Sequence, residues 1–289
     1  MKRSLTVLDP GPLTTVQDRG RPGWAHLGVP RSGALDRPAA SLANRLVGNP
    51  DSAAVLETTL GGVTVRTSTA MTLAVTGAEC PVTVDGRPAP LGEPLALGSG
   101  QTLLVGPATR GLRSYVAAAG GVQVAEVLGS RSTDTLSGMG PEPVSAGAVL
   151  PVGDPLHDPH GVDVSVVRRP PDPVTLRVVP GPRTDWFIDE AMTTLTGSTY
   201  TCSADSNRVG LRLHGPRLVR ERSEELPSEG LVLGAVQVPA SGEPLVFLND
   251  HPTTGGYPVI GVVRPEDLAV CAQLRPGDRV RFAAARGAG

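Results

Sequence analysis

Glycine and proline punctuate this chain so densely that long helices have little room: 36 glycines and 29 prolines make up more than a fifth of the 289 residues. Proline removes a backbone donor and glycine frees the backbone to turn, so the chain is suited to short strands joined by tight connections. The expected fold class is mainly β, a barrel or sandwich with a few short helices. Hydrophobic residues are 39 % and aromatics only 3 %. A core must therefore be assembled from Val, Leu and Ala, with Trp24, Trp186 and Tyr257 as scarce large anchors. The length suits one large domain or two of about 100–150 residues.

The formal net charge is -2 and no block of like charges occurs. That excludes the electrostatic footprint of a nucleic-acid or anionic-membrane binder. Among the 26 basic residues the sole lysine is Lys2. A Walker-type loop, a kinase strand, a Schiff-base site and a biotin carrier each need a placed lysine, which a terminal Lys2 does not supply. Any carboxylate or phosphate has to be held by arginine, whose planar fork suits bidentate recognition. Cys80, Cys202 and Cys271 lie far apart without a CxxC pair, as expected of buried small hydrophobes in a reducing compartment. The first residues are interrupted by Asp9 and Pro10, and no apolar run reaches transmembrane length, so the expected location is cytoplasmic.

β-rich runs bounded by Gly and Pro recur at Leu5–Leu8, Val63–Arg66, Thr72–Thr76, Gln101–Val105, Arg113–Ala118, Val174–Val179, Leu231–Val238, Pro244–Leu248, Val259–Val263 and Arg279–Phe282. Asp85-Gly86 predicts a hairpin turn. Three helices are expected. The first is capped by Asp36, carries Ala39, Leu42, Ala43 and Leu46, and closes at Gly48; the second runs from Thr184 to Gly197 with Ile188, Met192 and Leu195 inward; the third opens with Pro265, Glu266 and Asp267 and carries Leu268 and Cys271. The Pro-, Asp- and His-rich stretch 153–173 is the expected boundary, dividing the chain into domains 1–165 and 166–289. A short echo, Leu5-Thr6-Val7 to Pro10-Gly11-Pro12 against Leu176-Arg177-Val178 to Pro180-Gly181-Pro182, is compatible with a duplicated unit.

Polar chemistry concentrates in three loops. From Val16 to Asp36 run Gln17, Asp18, Arg19, Arg21, His26, Arg31 and Ser32 among glycines, either a site at a barrel rim or a connecting loop with a helix cap. Asn207-Arg208 before Val209-Gly210 reads either as an anion clamp or as a surface turn. Asn249, Asp250, His251, Thr253 and Thr254 precede Gly255-Gly256, whose backbone donors can approach a ligand, or which serve a strand-to-strand loop. Arg113 is either an anion binder or a strand-edge charge. Glu229, before Gly230, is a further candidate, whereas Glu224-Glu225 and His157, His160 and His214 read as solvated or structural. Neither GxSxG nor HExxH occurs.

Together these segments resemble one family. TVQDRGRPGWAHLGVPRSGALD from Thr15, ETTLGG from Glu57, RSYVAAAGG from Arg113, LGSRST from Leu128, SNRVGLRLHGP from Ser206, SEG from Ser228 with GAVQVP from Gly234, and NDHPTTGGYP from Asn249 follow the order of the 5-oxoprolinase C-subunit family. That family, also called allophanate hydrolase subunit 2, is similar to part of the carboxyltransferase region of urea carboxylase. Val209 departs from it conservatively, since Met is frequent there.

The resemblance implies two cyclophilin-like β-barrel domains and a direct complex with a B subunit of the 5-oxoprolinase. Together with its A subunit, that complex opens 5-oxoproline to L-glutamate at the expense of ATP, with ATP and Mg held either by this chain or elsewhere in the complex, and with no covalent biotin here. Carried onto this sequence, Arg208, Asn207 and Asp250 would form the catalytic group. Gln17, Asp18, Arg19, Arg113, Gln237, Thr253, Thr254, Gly255, Gly256 and Tyr257 would shape the substrate pocket, and no metal ligands are assigned. Two alternatives stand beside this: a carboxyltransferase component accepting carboxybiotin from another chain, and a non-catalytic regulator of a kinase inhibitor.

Overall fold

The computed structural model describes residues 2–158, 171–222 and 224–285. It divides into two compact units, Met1–Arg21 with Ser32–Arg168 and Pro22–Arg31 with Arg169–Gly289. The expected junction at 165/166 and His160 lie outside the described residues.

The first unit contains β1 (Ser4–Asp9), β2 (Leu13–Gln17), α1 (Arg37–Leu46), β3 (Val55–Thr59), β4 (Thr64–Thr67), β5 (Met71–Glu79), β6 (Val82–Val84), β7 (Arg87–Ala89), β8 (Pro94–Leu97), β9 (Thr102–Val105), β10 (Arg110–Ala118) and β11 (Val149–Pro151). They form a six-stranded sheet, β11-β1-β4-β9-β6-β7, and a five-stranded sheet, β2-β3-β10-β5-β8. Successive side chains of a strand point to opposite faces, and this sorts the core. Leu73 and Val75 of β5 and Val116 and Ala118 of β10 join Leu5, Val65 and Leu103 of the other sheet. Their neighbours Ala74, Tyr115 and Ala117 face the opposite way and pack on Ala40, Ala43 and Leu46 of α1. Small side chains on both surfaces let the helix approach closely.

The first expected helix is α1: the Asp36 carboxylate accepts the Ala39 N–H at 3.0 Å. Gly48 follows it at φ +73°, where a Cβ would fall 2.5 Å from the His157 carbonyl oxygen. The turn between β6 and β7 is also as expected, with Asp85 and Gly86 both at positive φ.

The second unit contains β12 (Val174–Pro180), α2 (Glu190–Gly197), β13 (Thr199–Cys202), β14 (Gly210–His214), β15 (Glu229–Gly230), β16 (Ala235–Gln237), β17 (Leu245–Phe247), β18 (Thr254–Gly255), β19 (Val259–Val263), α3 (Leu268–Cys271) and β20 (Arg279–Ala284). Seven of these close a barrel in the order β12-β19-β16-β17-β14-β13-β20, sealed by the parallel pair of β12 with β20. Closure removes the exposed edges that an open sheet must protect. Val174, Leu176 and Val178 are buried and Thr175 and Arg177 exposed along β12, and Tyr200 meets Phe282 edge to face at 5.8 Å. The fold is thus mainly β, with two barrel-like units and few short helices.

Several local expectations need correction. The helix expected from Thr184 is a 3₁₀ turn, Thr184–Trp186, followed by α2 from Glu190, because extended Phe187 bridges to Arg220 between them. The run Leu231–Val238 yields only β16, since Gly234 at φ +84° breaks it. The third helix is a 3₁₀ turn, Pro265–Asp267, running into α3. Trp186 is buried, but Trp24 is only half-buried and Tyr257 is 47 % exposed; Tyr115, Tyr200 and Phe282 are the large core side chains instead. Cys80 is partly buried, unlike Cys202 and Cys271. Among the described residues, no helix is long and apolar enough to cross a membrane.

Candidate functional site

In the second unit the SNRVG and NDHP loops are stapled together. Asn207 Oδ1 accepts the N–H groups of Val209 at 2.8 Å and Gly210 at 3.3 Å, an Asx turn that aims the chain into β14. Arg208, 2 % exposed, forks onto Asp250, 0 % exposed, with Nε to Oδ2 and Nη2 to Oδ1 both at 2.9 Å. Backbone bonds run beside the fork: Leu248 N–H donates to Val209 O and Asp250 N–H to Arg208 O. The planar edge of the guanidinium is thus occupied by a carboxylate of the same unit. Asn207 serves the turn while its residue stays exposed.

Beyond Asp250, the chain forms a small rim. Thr254-Gly255 of β18 pairs with Glu229-Gly230 of β15, and the Thr253 carbonyl accepts the Leu231 N–H. Gln237, buried on β16, donates from Nε2 to the Tyr257 carbonyl at 3.0 Å. A Cβ on Gly255 would lie 2.9 Å from that same Nε2. Only glycine passes over Gln237 without displacing it. Thr254, Gly256 and Tyr257 are exposed. The Arg183 guanidinium clasps Glu229 with two hydrogen bonds, which raise the arginine's pKa and hold the Glu229 carboxyl below its ordinary range. Arg220 lies under the Tyr257 ring, 5.5 Å from its centroid, and burial lowers its pKa. Arg183 and Arg220 are not among the expected site residues, since neither belongs to the three loops in which polar chemistry concentrates.

In the first unit, the VQDRG and LGSRST segments fold around Asp18. Its Oδ1 accepts from Ser130 Oγ and Ser132 Oγ at 2.6 Å and Gly20 N–H at 2.7 Å, and its Oδ2 accepts the Arg131 N–H at 2.6 Å. Asp18 is therefore the knot of this loop pair. Gln17, 0 % exposed, donates from Nε2 to Thr133 O at 2.9 Å and Thr15 Oγ1 at 3.0 Å. Arg19 is exposed and meets Asp51 at 3.1 Å. These three line a pocket of about 310 Å³ beside the first turns of α1.

Arg113, another site candidate, lies buried 3.6 Å from Glu57. Glu57 Oε2 accepts the Tyr115 hydroxyl at 2.9 Å and the Leu35 N–H at 2.9 Å, while the Tyr115 oxygen accepts the Asp36 N–H at 2.7 Å. Burial, with the Glu57 charge second, pushes the Tyr115 hydroxyl well above its ordinary pKa. This network holds the entrance to α1. The expected site residues therefore form two groups: Asn207, Arg208, Gln237, Asp250 and residues 253–257 in the second unit, and Gln17, Asp18 and Arg19 in the first, with Arg113 beneath α1. Among the described residues, no three His, Cys, Asp or Glu side chains gather as metal ligands.

Comparison with known proteins gives this arrangement a family. The description "Carboxyltransferase domain, subdomain A and B" matches residues 27–284. The chain is 39 % identical to the C subunit of 5-oxoprolinase from Escherichia coli (strain K12) over 281 residues, covering 96 % of this chain and 90 % of that protein. It is 32 % identical to the urea amidolyase of Lachancea kluyveri over 96 % of this chain but only 16 % of that protein. Among solved structures, TTHA0988 matches with a TM-score of 0.88 at 37 % identity, over 97 % of this chain and 55 % of the other, so this chain spans about half of that relative. The K. lactis urea amidolyase matches with a TM-score of 0.92 at 31 % identity, over 99 % of this chain and 19 % of the other. The chain belongs to the family of carboxyltransferase domains, subdomains A and B, with the C subunit of 5-oxoprolinase among its relatives.

Proposed function

We propose that this chain is the C subunit of a 5-oxoprolinase, acting in a complex with a B and an A subunit to open the lactam of 5-oxoproline to L-glutamate at the expense of ATP. The carrying observation is the 39 % identity that spans 96 % of this chain and 90 % of the E. coli C subunit. A lactam is resonance-stabilised, so its opening needs an activated carbonyl and a held substrate more than a covalent nucleophile. Among the described residues no three His, Cys, Asp or Glu side chains gather, and the sole lysine is Lys2. No step of the nucleotide chemistry is routed through this chain. What this chain contributes is positioning, with the Arg208–Asp250 fork holding the loop that carries Thr253, Thr254 and the Gly255-Gly256 backbone.

The second reading is a carboxyltransferase component, favoured by the similarity to the urea amidolyases; its biotin would have to ride on another chain.

The test is ATP-dependent glutamate release from 5-oxoproline by this chain co-purified with its A and B subunits. Arg208→Lys keeps the charge but loses the fork, and should lower turnover about a hundredfold with the complex still assembled. An assembled wild-type complex that releases no glutamate overturns the proposal and turns attention to carboxybiotin.

A further inference from the structure

We infer that the pocket beside α1 in the first unit is a binding site for a small amide that also carries a carboxylate, held by Gln17 and Arg19. The inference rests on the proposed lactam chemistry for the identity of the ligand, but on the pocket's own atoms for the site.

Gln17 supplies the first observation. Its side chain is 0 % exposed, yet Oε1 has no hydrogen-bond partner among the described residues. The amide cannot be turned to cure this, because Nε2 donates to the Thr133 carbonyl, which can only accept, and the Ser32 hydroxyl donates to that same carbonyl. A buried acceptor without a donor costs roughly 1–3 kcal/mol. Gln17 lines the pocket, so a ligand N–H can supply the missing donor.

Arg19 supplies the second. It is 55 % exposed, lines the same pocket, and gives Asp51 a single Nη2 at 3.1 Å, leaving Nε and Nη1 without partners among the described residues. A guanidinium with an open planar edge takes a carboxylate bidentately. The two aspartates of the pocket do not compete for that edge. Asp18 is engaged by Gly20, Ser130, Arg131 and Ser132, and Asp51 accepts Ser41 Oγ at 2.7 Å besides Arg19. Arg37 also belongs to the lining.

The rest of the wall sets the small apolar side chains of Ala34, Ala40, Ala53 and Val55 beside Pro38, Ser41 and Asn44. Such a surface suits the methylenes of a small ring rather than an extended chain. The volume, about 310 Å³, lies at the lower end of the roughly 300–1,000 Å³ usual for small-molecule sites. A five-membered lactam bearing a carboxylate matches each requirement: N–H to Gln17 Oε1, carboxylate to Arg19, ring carbons on the alanines.

Three probes separate these contacts: 5-oxoproline, 2-pyrrolidinone, which lacks the carboxylate, and 5-oxotetrahydrofuran-2-carboxylate, a lactone that lacks the N–H. Binding is measured by calorimetry on the full-length chain and as KM or Ki in the assembled complex. The expectation is that 5-oxoproline binds at least tenfold tighter than either analogue. Arg19→Gln should erase its advantage over 2-pyrrolidinone, and Gln17→Met its advantage over the lactone. Arg19 is exposed, so its variant tests the site even if Gln17→Met fails to fold. Equal binding of the three probes, no binding alone and in the complex, or a 5-oxoproline KM unchanged in Arg19→Gln overturns the inference. If the complex turns over with KM unmoved by Arg19→Gln, the site fails and the proposed function stands; if nothing turns over but binding depends on Arg19, the reverse holds.

Discussion

Each unit buries an arginine against a carboxylate, and the two pairs are built differently. In the second unit, Arg208 and Asp250 face each other through two hydrogen bonds of 2.9 Å. In the first, Arg113 stands 3.6 Å from Glu57, whose other oxygen is given to Tyr115 and to the Leu35 backbone. Taking a charge out of water is costly, and each pair offsets that cost in its own way. The fork does so through its paired geometry, two parallel hydrogen bonds that join the SNRVG and NDHP loops. The shared carboxylate does so by hydrogen-bonding the chain that enters α1, which spreads its effect over a strand, a ring and a helix start.

The largest expected effect comes from breaking the fork. Arg208→Leu or Asp250→Leu alone leaves a buried charge and should cost about 3–5 kcal/mol in urea unfolding. The double variant should recover much of that loss. If the double is no better than the worse single, the pair is not an isolated fork. Tyr115→Phe should cost less, about 1–3 kcal/mol, since it removes a donor to Glu57 and the acceptor of the Asp36 N–H while the ring stays packed. A cost as large as that at Arg208 would show that the distributed network, not the fork, is the more brittle design.

The smallest effect belongs to the half-exposed pair Arg183–Glu229, which sharpens the contrast by being neither buried nor shared. Arg183 lowers the Glu229 pKa below its ordinary 4.5. Its stabilising effect is therefore present above that pH and lost as acid takes the folded carboxyl through its own lower pKa. Glu229→Gln should lower the neutral plateau of a stability-against-pH curve slightly and flatten its acid limb, so that the variant and wild-type curves meet at low pH. Added salt should shrink the difference further.

How much of this was legible in the sequence depended on whether a feature is local. Asp36, Gly48 and the Asp85-Gly86 turn act on their own neighbours, so α1 and the β6–β7 hairpin could be read directly. Phe187 could not, since its extended backbone follows from its antiparallel bridge to Arg220, far along the chain. The two-residue strands β15 and β18 exist only because they meet, and their sequences carry no alternation to read. The loops that carry the candidate site were visible as polar, glycine-rich segments. Their pairings were not: the resemblance put Arg208 and Asp250 in one group but not as a mutual fork, and nothing near Asp18 announces Ser130 and Ser132, because each pairing spans dozens of residues. Residue type marked where chemistry gathers, but topology decided which groups are already engaged with one another.

The parallel seam that closes the second unit also has a mechanical meaning. β12 opens the barrel's chain and β20 ends it, side by side in the same direction from Val174 with Val280 to Val178 with Ala284. A pull applied at the start of β12 and the end of β20 slides one strand along the other, so the hydrogen bonds of that ladder bear the load together rather than opening one at a time. Under tension between its ends, the barrel yields in shear, the direction in which a β ladder resists most.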